Sequence, residues 1–134
     1  MAGMFKFELI SPEEKLISED VTMVTIPGAE GEFGVLEGHS PLLSAVKAGI
    51  VRVHKNAMND NPRRIFVAGG FADVTADRCV LLAEEAHDLS LVDVTALDAE
   101  ISKMHAAFAA QEDAFEKVKL QNRLDVLTAK RAAI

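Results

Sequence analysis

Two patterns of apolar and polar residues divide this chain, and one replaces the other near residue 87. From Met4 to Ala86, short apolar runs alternate with polar residues and are separated by turn-forming residues. This period of two is typical of strands, and many short strands in succession predict an antiparallel β-sandwich. From Asp88 onward there is no glycine or proline, and apolar residues recur every three or four positions, which predicts helices. We therefore expect a β-sandwich over residues 1–87, followed by an antiparallel two-helix hairpin over residues 88–134.

Six apolar segments of the first part are predicted to be strands, because β-branched or aromatic residues recur in them with the alternation of a half-buried strand. These segments are residues 5–10, 21–26, 50–55, 64–68, 72–74 and 79–82. The dipeptide Pro27-Gly28 is expected to end the second strand. Residues 56–62 and 75–78 are rich in Asn, Asp, Thr or Pro, and they are expected to form the turns of two hairpins.

The run from Pro27 to Leu43 contains four glycines and two prolines among 17 residues. Both residue types disfavour a helix, so this run is predicted to form tight turns around a short strand at residues 33–36. A surface loop of this kind is a frequent contact site. The titratable side chains expected to project from its turns are Glu30, Glu32, Glu37 and His39.

The helical part is predicted to contain two helices with a hinge at residues 109–113. Ser90, three residues before Asp93, is expected to cap the first helix. That helix carries one apolar stripe, formed by Val94, Leu97, Ile101, Met104 and Phe108. The second helix has two apolar faces, one with Leu120, Leu124 and Leu127 and the other with Phe115, Val118, Val126 and Ala129. One face can pack on the first helix, so the other needs the β part or a second protein as a neighbour.

Charge is sorted along the helical part. Acidic residues open it, and basic residues end it: Lys117, Lys119, Arg123, Lys130 and Arg131. Basic side chains near the end of a helix complement its dipole, which explains Lys130 and Arg131. Lys117 and Lys119 lie too early for this explanation, so contact with an acidic protein surface is the second interpretation. The sequence leaves both open.

Composition and spacing argue against several functions. The net charge of -7 and the absence of Trp and Tyr argue against nucleic-acid binding. The four histidines share no metal-ligand spacing with one another or with Cys79, and no glycine run is followed by Gly-Lys-Ser or Gly-Lys-Thr. We expect no catalytic residues and no bound metal, and we expect the partners to be proteins or a basic surface.

Cys79 is expected to be a buried, inert thiol in a reducing compartment, because it lies in an apolar run and has no second cysteine to pair with. The first residues lack the pattern of a signal or transit peptide, and no segment is long and apolar enough to cross a bilayer. Any membrane association is therefore expected to be indirect, through a partner protein.

Two motifs resemble the epsilon subunits of bacterial F-type ATP synthases. The first motif is Pro27-Gly28, residues 30–36, Gly38-His39 and residues 41–43. The second is Ala68-Gly69-Gly70-Phe71, followed by Asp73-Val74. With the order of β part and helical hairpin, the resemblance covers essentially the whole chain. It implies a β-sandwich that binds the gamma subunit and stands on the ring of c subunits, and it implies that Glu32 and His39 face that ring.

One position departs from the pattern of those epsilon subunits that bind ATP through their helical hairpin. Their motif is Ile or Leu, then Asp, two residues, Arg and Ala. Aligned on Asp93, this chain has Ala96 at the arginine position, and aligned one turn later it has Ile101 there. Neither side chain can replace the contacts of a guanidinium with phosphate. Asp93 would then be only a remnant of a nucleotide motif, and we expect no cofactor and weak or no ATP binding.

The resemblance implies a noncatalytic rotor subunit of the proton-translocating ATP synthase, peripheral on the cytoplasmic face of the bacterial inner membrane. Its partners would be the gamma subunit and the c-ring. The helical hairpin could reach the catalytic alpha and beta subunits and restrain ATP hydrolysis. The alternative is a free-standing β-domain that acts as a protein-binding module or small-ligand sensor. Purification distinguishes the two, because only a rotor subunit should copurify with a membrane-attached ATPase.

Overall fold

Strands precede helices in the order that the residue pattern predicts. The computed structural model describes residues 3–56 and 61–134, and the chain divides into two units, Met1–Asp88 and Leu89–Ile134. In the described residues the strands are β1 Phe5–Ile10, β2 Lys15–Val21, β3 Met23–Gly28, β4 Gly31–Val35, β5 Leu42–His54, β6 Arg63–Val74, β7 Arg78–Ala83 and β8 Ala86–Asp88. A 3-10 turn, Leu89–Leu91, precedes the helices α1 Val94–Ala110 and α2 Ala114–Ala133.

The strands of the first unit are joined in the order β2-β1-β7-β6-β5-β3-β4, and β8 also pairs with β6. All pairs are antiparallel except β1 and β7, which run parallel from Lys6 opposite Arg78 to Ile10 opposite Leu82. The expectation of a β part followed by two packed helices is confirmed, and the parallel pair is a difference in detail. Alternation reports which residues face the core, but it carries no information on the direction of a distant partner strand.

The strand network folds into two layers because the long strands β5 and β6 belong to both. The N-terminal half of β6 pairs with β8, and its C-terminal half pairs with β7. Gly69 and Gly70 lie between the two halves and both have positive φ. A Cβ atom at Gly70 would collide with the backbone carbonyl of Leu82. Glycine is therefore required where β6 passes from one layer to the other.

The core of this unit is one cluster of buried apolar side chains between the layers. It combines residues from both ends of the strand network, including Phe7 and Leu9 of β1, Val24 and Ile26 of β3, and Leu81 of β7. These residues can share one cluster only if the sheet closes on itself. Each fully buried side chain of this size contributes about 1.5–3 kcal/mol to the hydrophobic stabilisation.

The predicted strand at residues 21–26 is in fact the end of β2 and most of β3. The chain turns at Thr22, whose backbone N–H and Oγ1 both donate to the carbonyl oxygen of His54, at 2.9 and 2.8 Å. Pro27 belongs to β3 and does not end it. The pairing of β3 with β5 is irregular between Thr25 and Gly28, so the missing N–H of proline costs no regular ladder bond there.

Several other predicted strands lie in the right place but are shorter than the strands of the structure. Strand β5 begins at Leu42, eight residues before the predicted start, and β6 continues through residues 69–71. Strand β2 was not predicted, because Ser18, Glu19 and Asp20 are weak strand formers. The predicted turn at residues 56–62 falls largely on residues 57–60, which lie outside the described residues.

In the second unit, α1 and α2 are joined by residues 111–113, within the predicted hinge. Leu97 of α1 and Leu124 and Leu127 of α2 are buried. The prediction that Ser90 caps the first helix is wrong, because Ser90 lies in the 3-10 turn. The N-cap is Asp93, which directly precedes the helix and accepts from the backbone N–H of Ala96 at 3.1 Å.

Candidate functional site

The first motif forms the β3–β4 hairpin and the loop that follows it. Strands β3 and β4 pair until Gly28 stands opposite Gly31, which leaves Ala29 and Glu30 as a two-residue turn. Gly31 has a φ of 139°, a backbone region that favours glycine. The N–H of Ala29 donates to the carbonyl of Ala45 at 2.9 Å, which fixes the hairpin tip against β5. The prediction of tight turns around a short strand is confirmed.

Glu32 lies on β4 beside this turn, and its side chain is 56% exposed. Its Oε2 is 3.4 Å from Nη1 of Arg52 on β5. An exposed pair of this length contributes under about 1 kcal/mol to stability. The carboxylate is therefore accessible to a partner, at the small cost of sharing or losing Arg52.

His39 lies in the loop between β4 and β5, and it is half-buried. Its Nδ1 is 2.6 Å from the carbonyl oxygen of Ser40. Because a carbonyl can only accept, Nδ1 carries a proton, and Nε2 is the acceptor of the neutral ring. Gly38 fixes the loop. Its φ is 82°, and its N–H donates to the carbonyl oxygen of Ala76 at 2.7 Å.

Glu32 and His39 are held separately. Glu32 is near the start of β4, His39 follows the end of that strand, and the two side chains have different partners. A cleft of about 470 Å³ lies beside the hairpin tip. Glu30, Glu32, Phe33, Leu42 and Leu43 are among its lining residues, and His39 is not.

Leu43 is 72% exposed at the mouth of this cleft, and sequence reasoning did not propose it as a site residue. Leu42 and Leu43 are consecutive residues of β5, so their side chains point to opposite faces of the sheet. That signal was present in the sequence. Where only one face of a strand is buried, two adjacent leucines at its start imply that one of them faces solvent.

A second surface lies on the outer face of the layer that contains β1, β7 and the C-terminal half of β6. Phe71 of β6 and Leu82 of β7 stand opposite each other and are 58% and 53% exposed. The same row continues to Ile10 on β1 and to Ala45 on β5. We call these four residues the outer apolar row. An apolar cleft of about 350 Å³ lies against three of them, beside Pro12.

Glu8 lies on the same face as the outer apolar row and is almost fully buried. Its carboxylate pairs with Nζ of Lys15 at 3.0 Å and with Nη2 of Arg78. The hydrogen bond from Lys15, with the charge of Arg78, holds the pKa of Glu8 below its usual value although burial acts to raise it. Sequence reasoning missed this cluster, because Glu8 occupies a polar position in the strand alternation and its two partners come from β2 and β7.

The basic residues of α2 have several kinds of partner. Nε of Arg131 is 2.8 Å from Asp98, and Nη2 of Arg123 is 3.9 Å from Glu100. These pairs join the basic end of α2 to the acidic start of α1, because the two helices are antiparallel. This arrangement was neither of the two interpretations considered from the sequence, although the charge sorting and the hairpin together contain the signal.

Lys117 and Lys119 lie near the start of α2, and Lys130 lies near its end. Nζ of Lys117 is 4.8 Å from the ring centroid of Phe108, and Nζ of Lys119 is 4.9 Å from that of Phe115. Lys119 also pairs with Glu116 at 3.5 Å, and Lys130 is in the last turn of the helix. Phe115 and Val118 remain exposed.

Cys79 is buried in β7, as expected, and burial raises the pKa of its thiol to about 12. A thiol with such a pKa is not a nucleophile at neutral pH. Within residues 3–56 and 61–134, no three His, Cys, Asp or Glu side chains are arranged to hold a metal ion. No helix in this part of the chain combines the length and apolar character needed to cross a membrane.

Residues 4–88 match the family model described as the ATP synthase, Delta/Epsilon chain, beta-sandwich domain. Among relatives named ATP synthase epsilon chain, the one from Rhodospirillum centenum is 45% identical over 133 residues, which are 97% of this chain and 91% of the relative. The relative from Mesorhizobium japonicum is 42% identical over 134 residues, with 100% and 98% covered. The relative from Parvibaculum lavamentivorans is 39% identical over 135 residues, and both chains are fully covered.

Two solved structures share the fold. A chain in the mitochondrial ATP synthase of Euglena gracilis, solved as OSCP/F1/c-ring, matches with a TM-score of 0.80 and 24% identity over 97% of this chain and 81% of that chain. A chain of the central stalk and c-ring of the Tetrahymena thermophila enzyme matches with a TM-score of 0.61 and 13% identity, over 99% and 98% of the two chains. At these identities the matches support the fold alone.

Proposed function

This chain belongs to the ATP synthase epsilon chain family, and from this premise we propose how its two units act in the enzyme. The chain is a noncatalytic central-stalk subunit of the F-type ATP synthase. The alternative of a free-standing binding module or ligand sensor gives way to this assignment, because the relatives match over essentially the full length.

The proposed role of the β unit is to hold the gamma subunit to the c-ring, so that rotation of the ring reaches gamma. The supporting observation is that this unit exposes two surfaces of different chemistry, the outer apolar row and the end of the β3–β4 hairpin, which meet at Ala45. Two surfaces of different chemistry suit two different partners. Permanent interfaces between subunits are the more apolar class, which favours the outer apolar row as the surface for gamma.

The hairpin end is the proposed surface for the c-ring. This surface includes the exposed side chains of Glu32 and Leu43 near the hairpin tip and, in the loop beyond the other end of β4, the half-buried ring of His39. Glu32 and His39 also match the positions that face the ring in the family resemblance. A carboxylate and an imidazole acceptor suit the polar loops of a membrane ring. Leu43 would supply a small apolar contact with the same loops.

The proposed role of the helical hairpin is to contact the catalytic alpha and beta subunits and restrain ATP hydrolysis. Arg123 and Arg131 already reach acids on α1, so a partner would have to replace those ion pairs. Lys119 also pairs with an acid, Glu116, so Lys117 and Lys130 are the better candidates for an acidic partner surface. Asp93 has a structural role as the N-cap of α1, and the hairpin is proposed to act without bound nucleotide.

The epsilon chain is part of a membrane-associated complex. We place it on the cytoplasmic face of the bacterial inner membrane, as a peripheral subunit that is held there by its partner proteins. This location agrees with a role between the c-ring and gamma.

Separate substitutions on the two surfaces test this assignment. Phe71→Glu puts a charge in the outer apolar row and should weaken binding to purified gamma by at least about tenfold, as expected for loss of an aromatic anchor. The double variant Glu32→Ala and His39→Ala should bind gamma normally but weaken proton-coupled ATP synthesis in reconstituted enzyme. Its melting temperature should change little, because the Glu32 ion pair is exposed.

The matched control is Lys55→Gln, which removes an ion pair with Glu19 on the β unit outside both surfaces. It should leave gamma binding and coupling unchanged. The assignment would be reversed if Phe71→Glu impaired only coupling and the double variant impaired only gamma binding. A large fall in melting temperature with normal coupling would mean that Glu32 and His39 serve only the turns of the loop.

A further inference from the structure

Strand β8 is short, and of its three residues Ala86 packs against the core cluster. Its three residues, Ala86–Asp88, pair with β6 opposite Val67, Phe66 and Ile65. All three are only half-buried, whereas Val67 and Ile65 are fully buried in the core. Within the described strands, β8 has no partner other than β6. Apolar burial therefore contributes less to holding β8 than to holding any core strand, and polar contacts weigh more.

An ion pair joins the last residue of β8 to the first residue of β6. Nε of Arg63, the first residue of β6, is 2.9 Å from Oδ2 of Asp88, the last residue of β8. The side chain of Asp88 is 13% exposed and that of Arg63 is 45% exposed, so water screens this pair less than a pair in which both partners are exposed. His87 pairs with Glu85 at 2.8 Å, a contact between near neighbours in sequence that does not cross to β6.

Strand β8 lies directly before the helical unit in the chain. Asp88 is the last residue of the β unit, and the helical unit begins at Leu89. The free connection to the helical unit therefore starts where the pairing of β8 ends. Release of β8 would add its three residues to that connection, or about 10 Å of extended chain.

We propose that β8 is a detachable strap, fastened by the Arg63–Asp88 ion pair, whose release lengthens the connection between the two units. The fastened strap keeps the connection short, and the released strap extends the reach of the helical unit. Residues 84 and 85 stay bonded to β6 in both states, through the pairs of Glu84 N–H with Gly69 and of Ala68 N–H with Glu85. The device is thus limited to the three residues of β8.

Hydrogen exchange of the full-length chain tests the strap. In Arg63→Gln, amide exchange of residues 86–88 should become about tenfold faster, while exchange in β1 and β7 stays as in the wild type, because only local opening is affected. The charge-reversed pair Arg63→Asp with Asp88→Arg should restore slow exchange. Lys55→Gln is the matched control, since it removes an ion pair of the same unit that does not touch β8.

Three outcomes would overturn the proposal: unchanged exchange at residues 86–88 in Arg63→Gln, equal acceleration in all strands, or equal acceleration at β8 in the control. If Arg63→Gln does not fold, a salt titration of the wild type decides. Raising the salt from about 0.05 M to about 1 M should accelerate exchange at residues 86–88 and leave β1 unaffected, because salt weakens ion pairs. A flat response at β8 would exclude an ionic fastening.

Discussion

Glu8 illustrates how the same residue type serves different purposes at two places in this chain. On β1 its buried carboxylate accepts from Lys15 and Arg78, and it ties β1 to β2 and β7. Glu32 also lies on a strand and faces a single arginine, but it is exposed and its pair is longer. The first carboxylate is used for stability, and the second is available for a partner. Burial separates the two roles, because water screens the exposed pair.

The contribution of Glu8 to stability should depend on pH. The pKa of its folded-state carboxyl is held below the ordinary value of 4.5, so the contribution is complete above pH 4.5 and is lost as the pH falls through the folded-state pKa. Glu8→Gln should therefore lower the melting temperature at pH 7, and the difference from wild type should shrink in acid. Thermal unfolding by circular dichroism between pH 7 and strongly acidic pH measures both.

The control for this prediction is Glu19→Gln, which removes the more exposed pair with Lys55 and should change the melting temperature only slightly. A constant difference between Glu8→Gln and wild type down to strongly acidic pH would show that the carboxylate charge is not the source of its contribution.

At the scale of elements, β6 organises the β unit. It pairs with β5 along its length, with β7 beyond Gly70 and with β8 before Gly69. One strand can serve both layers because two glycines with positive φ allow the backbone to change direction where a side chain would collide. The second motif of the sequence, Ala68 to Phe71, thus combines a structural requirement with an exposed aromatic ring on the outer apolar row.

Strand β8 should mark the end of the independently folding β unit. A fragment ending at Asp88 should unfold cooperatively in urea. A fragment ending at Glu85 loses the short ladder and the Arg63 ion pair, and its free energy of unfolding should be lower by about 1–3 kcal/mol, given roughly 0.5–1.5 kcal/mol for each hydrogen bond. Denaturation curves of the two fragments, with the Arg63→Gln form of the longer one as a control, provide the comparison. Equal stability of both fragments would place the boundary before β8.

At the scale of the whole molecule, one chain combines a β unit with two exposed surfaces and a helical unit with exposed apolar and basic side chains. We expect the β unit to suffice for the proposed link between gamma and the c-ring. The helical unit adds surface that the link does not need, notably Phe115, Val118 and Lys117. This separation means that the two proposed activities, coupling and restraint of hydrolysis, should be separable by truncation.

Removal of the residues after Asp88 should raise ATP hydrolysis by the assembled enzyme and preserve proton-coupled synthesis. The reason is that the proposed contact with the catalytic subunits is lost while both surfaces of the β unit remain. We expect an increase of about twofold or more, a small change in barrier that steady-state assays resolve. The truncated chain must first be shown by gel to remain in the complex. An unchanged hydrolysis rate with the chain present would contradict a restraining role.

The sequence by itself determined the types of the elements and the conformation of the first motif. Strand and helix periods are local, so apolar spacing identified the β part, the two helices and the hinge between them. Glycine is also a local signal, because the backbone freedom it provides does not depend on distant residues. The turns that surround β4 could therefore be predicted, although Glu32, which was expected to project from a turn, lies on β4 itself.

Only the tertiary structure decided which distant residues meet. The parallel pairing of β1 with β7 brings Arg78 to Glu8, and the antiparallel helices bring Arg131 to Asp98. The exposure of Phe71 likewise depends on which faces the two layers leave uncovered. The strand alternation contains neither the Glu8 cluster nor this exposure, because both arise from the packing of segments that are far apart in sequence. The alternation identified the strands, and the closure of the sheet established which apolar side chains are buried and what each of them touches.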